Sequence, residues 1–512
     1  MKGRQSLRRS LPFVVLVLIA FAASVSVAAP AYVWHTFYGS SATEVMDYGN
    51  GIAVDGSGNV YVTGVSYATW DGPGGQPPLN AFSGVQGDRH IVVVKLNSSG
   101  QYQWHTFYGS SYVDEGNGIA ADGGGNVYVT GVSYATWDGP SGQPPLNARS
   151  GGFADEGDVV ILKLNSSGQY QWHTFYGSNY LDQGYGIAID GGGNVYVTGF
   201  SWRTWDGPSG QPPLNAHSGE GDPNSDIVVL KLNSSGQYQW HTFYGSSDFE
   251  SLDSGNGIAV DWTGTVYVTG ETGAATWDGP DGQSPLHPTG ESPDIVVLKL
   301  NSDGQYQWHT FYGSSGFDSL DSGNAIAVDG SGNVYVTGHS GRTWDGPDGQ
   351  SPLREGYGIV VLKLNSSGAY QWHTFPGFSW SGYSIALDGG RSVYITGQGQ
   401  DILALKLNSS GQYQWHTFYG SSGVEPVNSG NGIAVDGSGN VYVTGISWGA
   451  WNGPNGQPPL TAYGGFDNTD IVVLKLAQPK DEAVSVPTVT EWGLVIMTLL
   501  FGGSAFYLLR KK

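Results

Sequence analysis

The tetrapeptide Trp-His-Thr-Phe occurs seven times in this chain, and its spacing constrains the fold more than any other feature. The copies are separated by 70, 68, 68, 68, 64 and 43 residues and begin at Trp34, Trp104, Trp172, Trp240, Trp308, Trp372 and Trp415. Self-similarity at this period is typical of solenoids, propellers and other arrays in which each unit contacts only its neighbours. The sequence therefore predicts one small structural unit repeated seven times.

Each unit contains four strand-like segments joined by Gly-rich turns. In the third unit these segments are 186–190, 194–199, 226–233 and 237–243, and the sixth unit retains all four within 43 residues. Four short strands in about 40–45 residues is the size of one propeller blade. With 82 Gly and only 12% charged residues, almost no helix is expected in the body. We predict an all-β, seven-bladed β-propeller of four-stranded antiparallel blades over residues 29–478.

The strand inventory also predicts how the ring closes. Segments of the GIAVD type and of the IVVLKL type both number seven, but the last unit ends on Leu476 without a Trp-His-Thr-Phe strand. The missing outer strand is the copy at the start of the body, so residues 33–38 are predicted to pair with 470–476. This closure leaves neither terminal strand with an unpaired edge, which is the aggregation hazard of open sheets.

The signature GIAVDGSGNVYVTG at 51–64 and 432–445, followed in each unit by a segment such as DIVVLKLNSSG at 226–236, resembles the bacterial SBBP repeat. The resemblance covers about residues 33–477. That family is named for an expected seven-bladed β-propeller, so the resemblance implies the same fold. It implies no catalytic residues, because the family has none established.

Both ends of the chain predict export. Residues 1–28 have a basic start, an apolar run and the small residues Ser26 and Ala28, which is the pattern of a signal peptide. Residues 493–512 are predicted to form a transmembrane helix with a basic end, since the 17 uncharged residues 493–509 would span about 25 Å as a helix. The positive-inside rule then places the body outside the cytoplasm. A buried C-terminal helix is the alternative.

Residues 479–492 are predicted to be a linker with a sorting motif. The tail resembles the IPTL-CTERM sorting signal of Gram-negative bacteria through Pro487, Thr488, Glu491, Trp492 and Gly493. The resemblance implies processing by an exosortase-like membrane protease, and hence a protein that is either anchored in the membrane or released to the cell surface or extracellular space.

Composition excludes two further classes of chemistry. The chain has no cysteine, so it has neither disulfides nor a thiolate nucleophile. Residues 29–478 contain 13 Lys and Arg against 40 Asp and Glu. Such an acidic body repels phosphate backbones, so nucleic acid is not expected as a partner.

Six of the seven units carry a long insert after their second strand, whereas the sixth unit along the chain lacks it. Each insert has the core W-[DN]-G-P-x-G-Q-x-P-L, with its tryptophan at Trp70, Trp137, Trp205, Trp277, Trp344 or Trp451. An exposed indole beside Asp and Gln would suit a sugar ring, which predicts repeated polysaccharide sites on one face. Alternatively, the Gly-Pro-x-Gly turn is structural and the tryptophan pins the insert to its blade.

Acidic residues recur just before the innermost strand of five units, at Asp47, Asp114, Asp182, Asp253 and Asp321. If these strands line a channel, the carboxylates would form a broken ring near its mouth that suits a hard cation such as Ca²⁺. Asp before Gly is also ordinary turn chemistry, and no other cofactor is expected. The seven repeat histidines lie on outer strands of different blades, which favours packing or hydrogen bonding over a shared metal.

The sequence contains no nucleophile elbow, phosphate loop or metal-ligand pair. The leading hypothesis is therefore an exported binding or adhesion scaffold with a polysaccharide or another surface protein as its ligand. The alternative is a propeller hydrolase or lyase acting on polysaccharide at the channel mouth. Its entrance would be the gap left by the missing sixth insert, near Trp380, Tyr383 and Arg391.

Overall fold

The computed structural model describes residues 29–478 apart from short loop segments at 43–44, 85–86, 152–155, 220–223, 249–250, 274–275, 289, 291, 317–318, 379, 400, 422–427 and 466–467. The predicted signal peptide, linker, sorting motif and C-terminal helix lie outside the described residues. Within the described part, all regular elements are strands, 28 in number. No helix able to span a bilayer occurs in that part of the chain.

The strands form seven four-stranded antiparallel sheets, which are the blades. Blades 1 and 2 are β2 (Asp47–Val54), β3 (Val60–Ser66), β4 (His90–Leu96), β5 (Tyr102–Tyr108) and β6 (Asp114–Ala121), β7 (Val127–Ser133), β8 (Asp158–Leu164), β9 (Tyr170–Tyr176). Blades 3 and 4 are β10 (Asp182–Ile189), β11 (Val195–Ser201), β12 (Asp226–Leu232), β13 (Tyr238–Tyr244) and β14 (Ser254–Val260), β15 (Val266–Thr272), β16 (Asp294–Leu300), β17 (Tyr306–Tyr312). Blades 5 and 6 are β18 (Asp321–Val328), β19 (Val334–Ser340), β20 (Gly358–Leu364), β21 (Tyr370–Thr374) and β22 (Gly382–Leu387), β23 (Val393–Gly397), β24 (Ile402–Leu407), β25 (Tyr413–Tyr419). Blade 7 is β26 (Ser429–Val435), β27 (Val441–Ser447), β28 (Asp470–Ala477) and β1 (Ala31–Tyr38).

The ring closes through the first strand, as the strand inventory predicts. Strand β1 is the outer strand of blade 7 and pairs antiparallel with β28, so that Trp34 lies opposite Lys475 and Tyr38 opposite Ile471. Both ends of the body are therefore held in one sheet, and the predicted all-β seven-bladed propeller is confirmed.

The core lies between neighbouring blades. One apolar cluster, for example, joins Trp34 and Ile471 of blade 7 to Val62, Val92 and Phe107 of blade 1. Both faces of each sheet are apolar because each sheet is covered on both sides, like the inner layers of a stack. Burying one such aromatic side chain contributes roughly 2–3 kcal/mol, so the blades hold one another in place.

A repeated lysine links each blade to the next. The Lys95 ammonium lies 4.9 Å from the centre of the Tyr61 ring and donates a hydrogen bond to the carbonyl oxygen of Ser166, at 2.7 Å. Ser166 lies in the turn between the third and fourth strands of blade 2. Blade 7 has no turn between its third and fourth strands, because its fourth strand, β1, comes from the start of the body. There Lys406 bonds to the side-chain oxygen of Gln478 at 3.1 Å instead.

Candidate functional site

The inserts fold over the outer edges of the blades rather than projecting from one face. In blade 1 the Leu79 amide donates to the carbonyl oxygen of His105 at 2.9 Å, and the Phe107 amide donates to the carbonyl oxygen of Asn80 at 3.1 Å. The same leucine-to-histidine bond recurs in the other five insert-bearing blades, from Leu146, Leu214, Leu286, Leu353 and Leu460. Each insert thus covers the backbone edge that the outermost strand would otherwise present to solvent.

The insert tryptophans are buried in these contacts. Each indole stacks on the imidazole of its own blade's outer strand, with ring centres 3.7–4.1 Å apart. The side chains are only 6–8% exposed at Trp70, Trp137, Trp205, Trp277, Trp344 and Trp451. The prediction that these rings are open to a sugar is therefore wrong, because each ring fastens its own insert to the blade.

The stacked histidines are structural and neutral. His105 Nε2 donates to the Trp70 carbonyl oxygen at 2.9 Å, so its Nδ1 accepts from the Tyr102 hydroxyl at 2.7 Å. Burial lowers the pKa of His105 to about 4. The predicted packing and hydrogen-bonding role agrees with this geometry, and it makes these residues part of the fastening of the inserts.

Replacing one insert tryptophan is expected to destabilise the contact between that insert and the outer strand of its blade. In Trp205→Ala, loss of an indole that is 7% exposed should lower the free energy of unfolding by about 3–5 kcal/mol. Trp262→Ala is the matched control, since that ring is 82% exposed, and its cost should stay within about 0.5 kcal/mol. Urea unfolding followed by circular dichroism measures both values. Equal values for the two variants would contradict the fastening role.

Blade 6 lacks the insert, and its outer strand differs accordingly. His416 is exposed and Phe418 is 37% exposed. All six counterparts of each residue are 0% exposed, namely His35, His105, His173, His241, His309 and His373, and Phe37, Phe107, Phe175, Phe243, Phe311 and Phe375. Among the described residues, no backbone group pairs with the outer edge of β25. The one blade without an insert thus has an open strand edge.

An aromatic cluster lies on this open edge, and we name it the blade-6 aromatic surface. It comprises Phe378, Trp380, Tyr413, His416 and Phe418. The Phe378 ring centre lies 5.0 Å from that of His416, and the Trp380 ring centre lies 5.9 Å from that of Phe418. The Tyr413 hydroxyl holds His416 Nδ1 at 2.8 Å, as in the covered blades. Tyr413, His416 and Phe418 are exposed, whereas Phe378 and Trp380 are half-buried. Aromatic clusters that reach the surface in this way are typical of binding sites.

The five predicted channel-mouth aspartates are buried, with exposures of 0–1% at Asp47, Asp114, Asp182, Asp253 and Asp321. Asp47, for example, accepts hydrogen bonds from the Ser66 hydroxyl and from the Ser40 amide. The prediction of an open ring of carboxylates is therefore wrong, because the carboxylates are enclosed within the junctions between blades. Among the described residues, no three His, Cys, Asp or Glu side chains are grouped to hold a metal ion. Binding of Ca²⁺ stays a prediction.

These junctions explain the glycine that follows each Trp-His-Thr-Phe-Tyr segment. A Cβ atom on Gly39 would lie 2.6 Å from Asp470 Oδ1 and 2.9 Å from Asp47 Oδ2. The pKa of Asp47 is raised to about 7, mainly by burial and in smaller part by the neighbouring carboxylate of Asp470. Asp253 and Asp226 form an equivalent pair, in which burial raises the pKa of Asp253 to about 7.

Asp253→Asn is expected to remove a pH dependence of stability. Because the folded pKa of Asp253 is raised, the folded chain holds a proton that the unfolded chain releases, so its stability falls as the pH rises from about 4 to about 7. The free energy of unfolding of the variant, minus that of the unmodified chain, should therefore be higher at pH 8 than at pH 4 by roughly 3–4 kcal/mol. Asn428 already occupies the equivalent position in blade 7, where it accepts from the Ser447 hydroxyl at 2.8 Å. Urea unfolding of both proteins at pH 4 and pH 8 measures this change. The same difference in stability between the two proteins at both pH values would contradict the prediction.

The innermost strands enclose a central channel of about 300 Å³. Five asparagines on these strands, Asn50, Asn117, Asn256, Asn324 and Asn431, each donate to a glycine carbonyl of the next blade at 2.9–3.1 Å. Tyr185 and Tyr383 take this position in blades 3 and 6. The described channel lining consists of Asn, Gly, Ala, Ile, Ser and Tyr, so tyrosine is its only titratable residue type.

Arg391 does not border the gap in blade 6. It lies in the turn between β22 and β23, where its guanidinium approaches Asp329 of blade 5 at 3.4 Å and donates to the Ser331 hydroxyl at 2.7 Å. The sequence-based grouping of Arg391 with Trp380 is therefore wrong, because the two residues lie at opposite ends of the inner strand of blade 6.

A closed ring of seven four-stranded blades around a polar channel defines the chain as a β-propeller. The SBBP family model, described as a beta-propeller repeat, matches residues 33–69, 103–136, 171–202, 307–341 and 414–450, and the IPTL-CTERM motif model matches 484–511. The chain is thus a propeller of SBBP repeats that ends in an IPTL-CTERM motif, as both resemblances in the sequence implied.

The chain also has more distant similarities to known proteins. The chain is 24% identical over 250 residues to the uncharacterized WD repeat-containing protein L264 of Acanthamoeba polyphaga mimivirus, covering 42% of this chain and 18% of that protein. Among solved structures it is similar to the RRP9 WD40 repeats, with 11% identity, a TM-score of 0.44 and coverage of 88% of this chain and 99% of that one. The WD40 propeller domain of Doa1 has 10% identity, a TM-score of 0.44 and coverages of 88% and 97%. These similarities carry no conclusion about activity.

Proposed function

We propose that this protein is an exported, surface-associated scaffold that binds or adheres to another protein through the blade-6 aromatic surface. The observation that carries the proposal is the exposure of His416 and Phe418, whose counterparts in the other six blades are all 0% exposed. The leader-like residues 1–28 and the matched C-terminal motif support export to the envelope of a Gram-negative bacterium.

A polypeptide fits this surface better than a polysaccharide. The surface combines exposed aromatic side chains with the unpaired backbone edge of β25, and the described residues offer no partner for that edge. Aromatic side chains are enriched in protein interfaces, and an exposed strand edge binds extended polypeptide. The six insert tryptophans, which would have formed repeated sugar sites, are buried.

Selection from a displayed random-peptide library tests the proposal. The full chain, purified in mild detergent, serves as bait, and the variant Phe378→Ser/Trp380→Ser/Phe418→Ser serves for counter-selection. Peptides that bind the unmodified chain at least tenfold better than the variant are expected, a difference of about 1.4 kcal/mol. A single cooperative unfolding transition in each of the two proteins provides the folding control.

A glycan array probed with the same two proteins distinguishes the alternative ligand. If the unmodified chain binds glycans that the triple variant does not bind, and the library yields no peptide, the ligand of this surface is a polysaccharide and not a protein. Peptides that bind both proteins equally would place the site elsewhere on the propeller.

A further inference from the structure

The other six blades show which chemistry fits the edge that blade 6 leaves open. On each of them the occupant is a bent dipeptide whose first amide donates to the histidine carbonyl and whose second carbonyl accepts from the phenylalanine amide two residues later. In blade 1 this dipeptide is Leu79-Asn80 and the acceptor strand residues are His105 and Phe107. A tryptophan nine residues before the leucine stacks on the same histidine.

Blade 6 keeps the receiving half of this arrangement. Its outer strand has the same Tyr-Gln-Trp-His-Thr-Phe-Tyr sequence, and the Tyr413 hydroxyl orients His416 as Tyr102 orients His105. Strand β25 pairs with β24 in the register of the covered blades, with His416 opposite Leu405 as His105 lies opposite Val94. Phe378 meets His416 edge-on at 69° and leaves the imidazole exposed.

We propose that the outer edge of strand β25 receives a segment of a partner protein in trans, through the two backbone hydrogen bonds that the inserts make on the other six blades. The occupant is a Trp-containing, Gly- and Pro-rich segment with the chemistry of the inserts. Its backbone pairs with the His416 carbonyl and the Phe418 amide, and its indole stacks on the His416 imidazole. This inference rests on the proposed function and specifies how the partner is bound.

Two other occupants are less well supported. The described chain ends close by, since Gln478 contacts Lys406 on the strand next to β25, but the following residues lack the insert motif. A second copy meeting this one edge to edge would bring together two chains that each carry a net charge of −22, and like charges repel. The insert chemistry, in contrast, is found on six equivalent edges of the same molecule.

The first test uses a labelled peptide with the sequence of residues 67–83, which contains Trp70 and Leu79. Fluorescence anisotropy with the full chain in mild detergent should show saturable binding. N-methylation of the amide at Leu79 should weaken binding at least tenfold, a cost of about 1.4 kcal/mol, and so should Trp70→Ala in the peptide. N-methylation at Ala81, outside the paired dipeptide, is the matched control and should have little effect.

The second test covers the edge in cis. Replacing residues 398–400 with the blade 1 insert, residues 67–89, should abolish binding of the peptide while leaving the propeller folded. His416→Ala should weaken binding at least tenfold with an unchanged melting temperature, since this ring is exposed.

The outcomes separate the binding mode from the proposed function. Peptides from the displayed library that bind the aromatic surface, together with no binding of the insert peptide or equal binding of its N-methylated form, would overturn this insert-like binding mode and leave the proposed function standing. A dimer that the graft dissociates would make a second copy the occupant. Peptide binding that appears only after removal of residues 479–512 would make the chain's own tail the occupant, and either result would overturn the proposed partner segment.

Discussion

A chain that lacks residues 29–38 is expected to be unfolded at physiological temperature and to show no cooperative unfolding transition on heating. This deletion removes β1, whose Trp34, Phe37 and Tyr38 are 6%, 0% and 3% exposed, and unpairs β28 along its length. Burial of three aromatic side chains contributes roughly 6–9 kcal/mol, which is comparable to the whole stability of a typical domain at about 5–15 kcal/mol. Calorimetry of the deleted chain beside a chain starting at Ala29 measures the difference.

Strand complementation provides the control for this deletion. A synthetic peptide of residues 29–40 should restore the transition, because it supplies the same register against β28. The same peptide with Phe37→Ala should restore it poorly, since that ring is fully buried. A deleted chain that melts like its control would show that the ring does not need this closure.

Two phenylalanines in identical sequence surroundings are expected to differ greatly in their contribution to stability. Phe107 is 0% exposed and packs edge-to-face on Trp70 with ring centres 5.5 Å apart. Phe107→Ala should therefore lower the free energy of unfolding by about 3–5 kcal/mol. Phe418 is 37% exposed on the blade without an insert, so Phe418→Ala should cost less than about 1.5 kcal/mol.

Urea unfolding of both phenylalanine variants makes this comparison directly. Because both residues stand in Tyr-Gln-Trp-His-Thr-Phe-Tyr, any difference reflects the presence or absence of the insert and not the local sequence. Equal losses of stability would mean that β25 is covered as well as the other outer strands, and the blade-6 aromatic surface would lose its basis as a binding site.

The sequence predicted the blades well because the information is local. The alternating apolar residues of segments such as 226–232 and the Gly-rich turns that follow them specify short strands and hairpins, and these form as predicted. Closure by β1 was also predictable, because strand types can be counted and only one outer strand was missing.

The candidate site was only partly predictable. The interval of 43 residues between Trp372 and Trp415 marks blade 6 as the unit without an insert, and Trp380 was correctly associated with the resulting gap. His416 and Phe418 were missed, because their motif is the same as in the covered blades and only the neighbouring insert distinguishes them. The aspartates were misplaced for a related reason. Their exposure depends on Ser66 and its equivalents, which lie 19 residues later in the chain.

The sequence by itself determined the number of blades and the strands of each blade, because hydrophobic alternation and turn chemistry act between residues close along the chain. Counting the strand types then determined the closing of the ring. Only the tertiary structure decided that the inserts cover the blade edges, that their tryptophans stack on histidines and that blade 6 is left open. Those outcomes depend on contacts such as that between Trp70 and His105, which are 35 residues apart. The burial of such residues depends on the assembled ring, because the sequence around each residue does not specify which distant segment covers it.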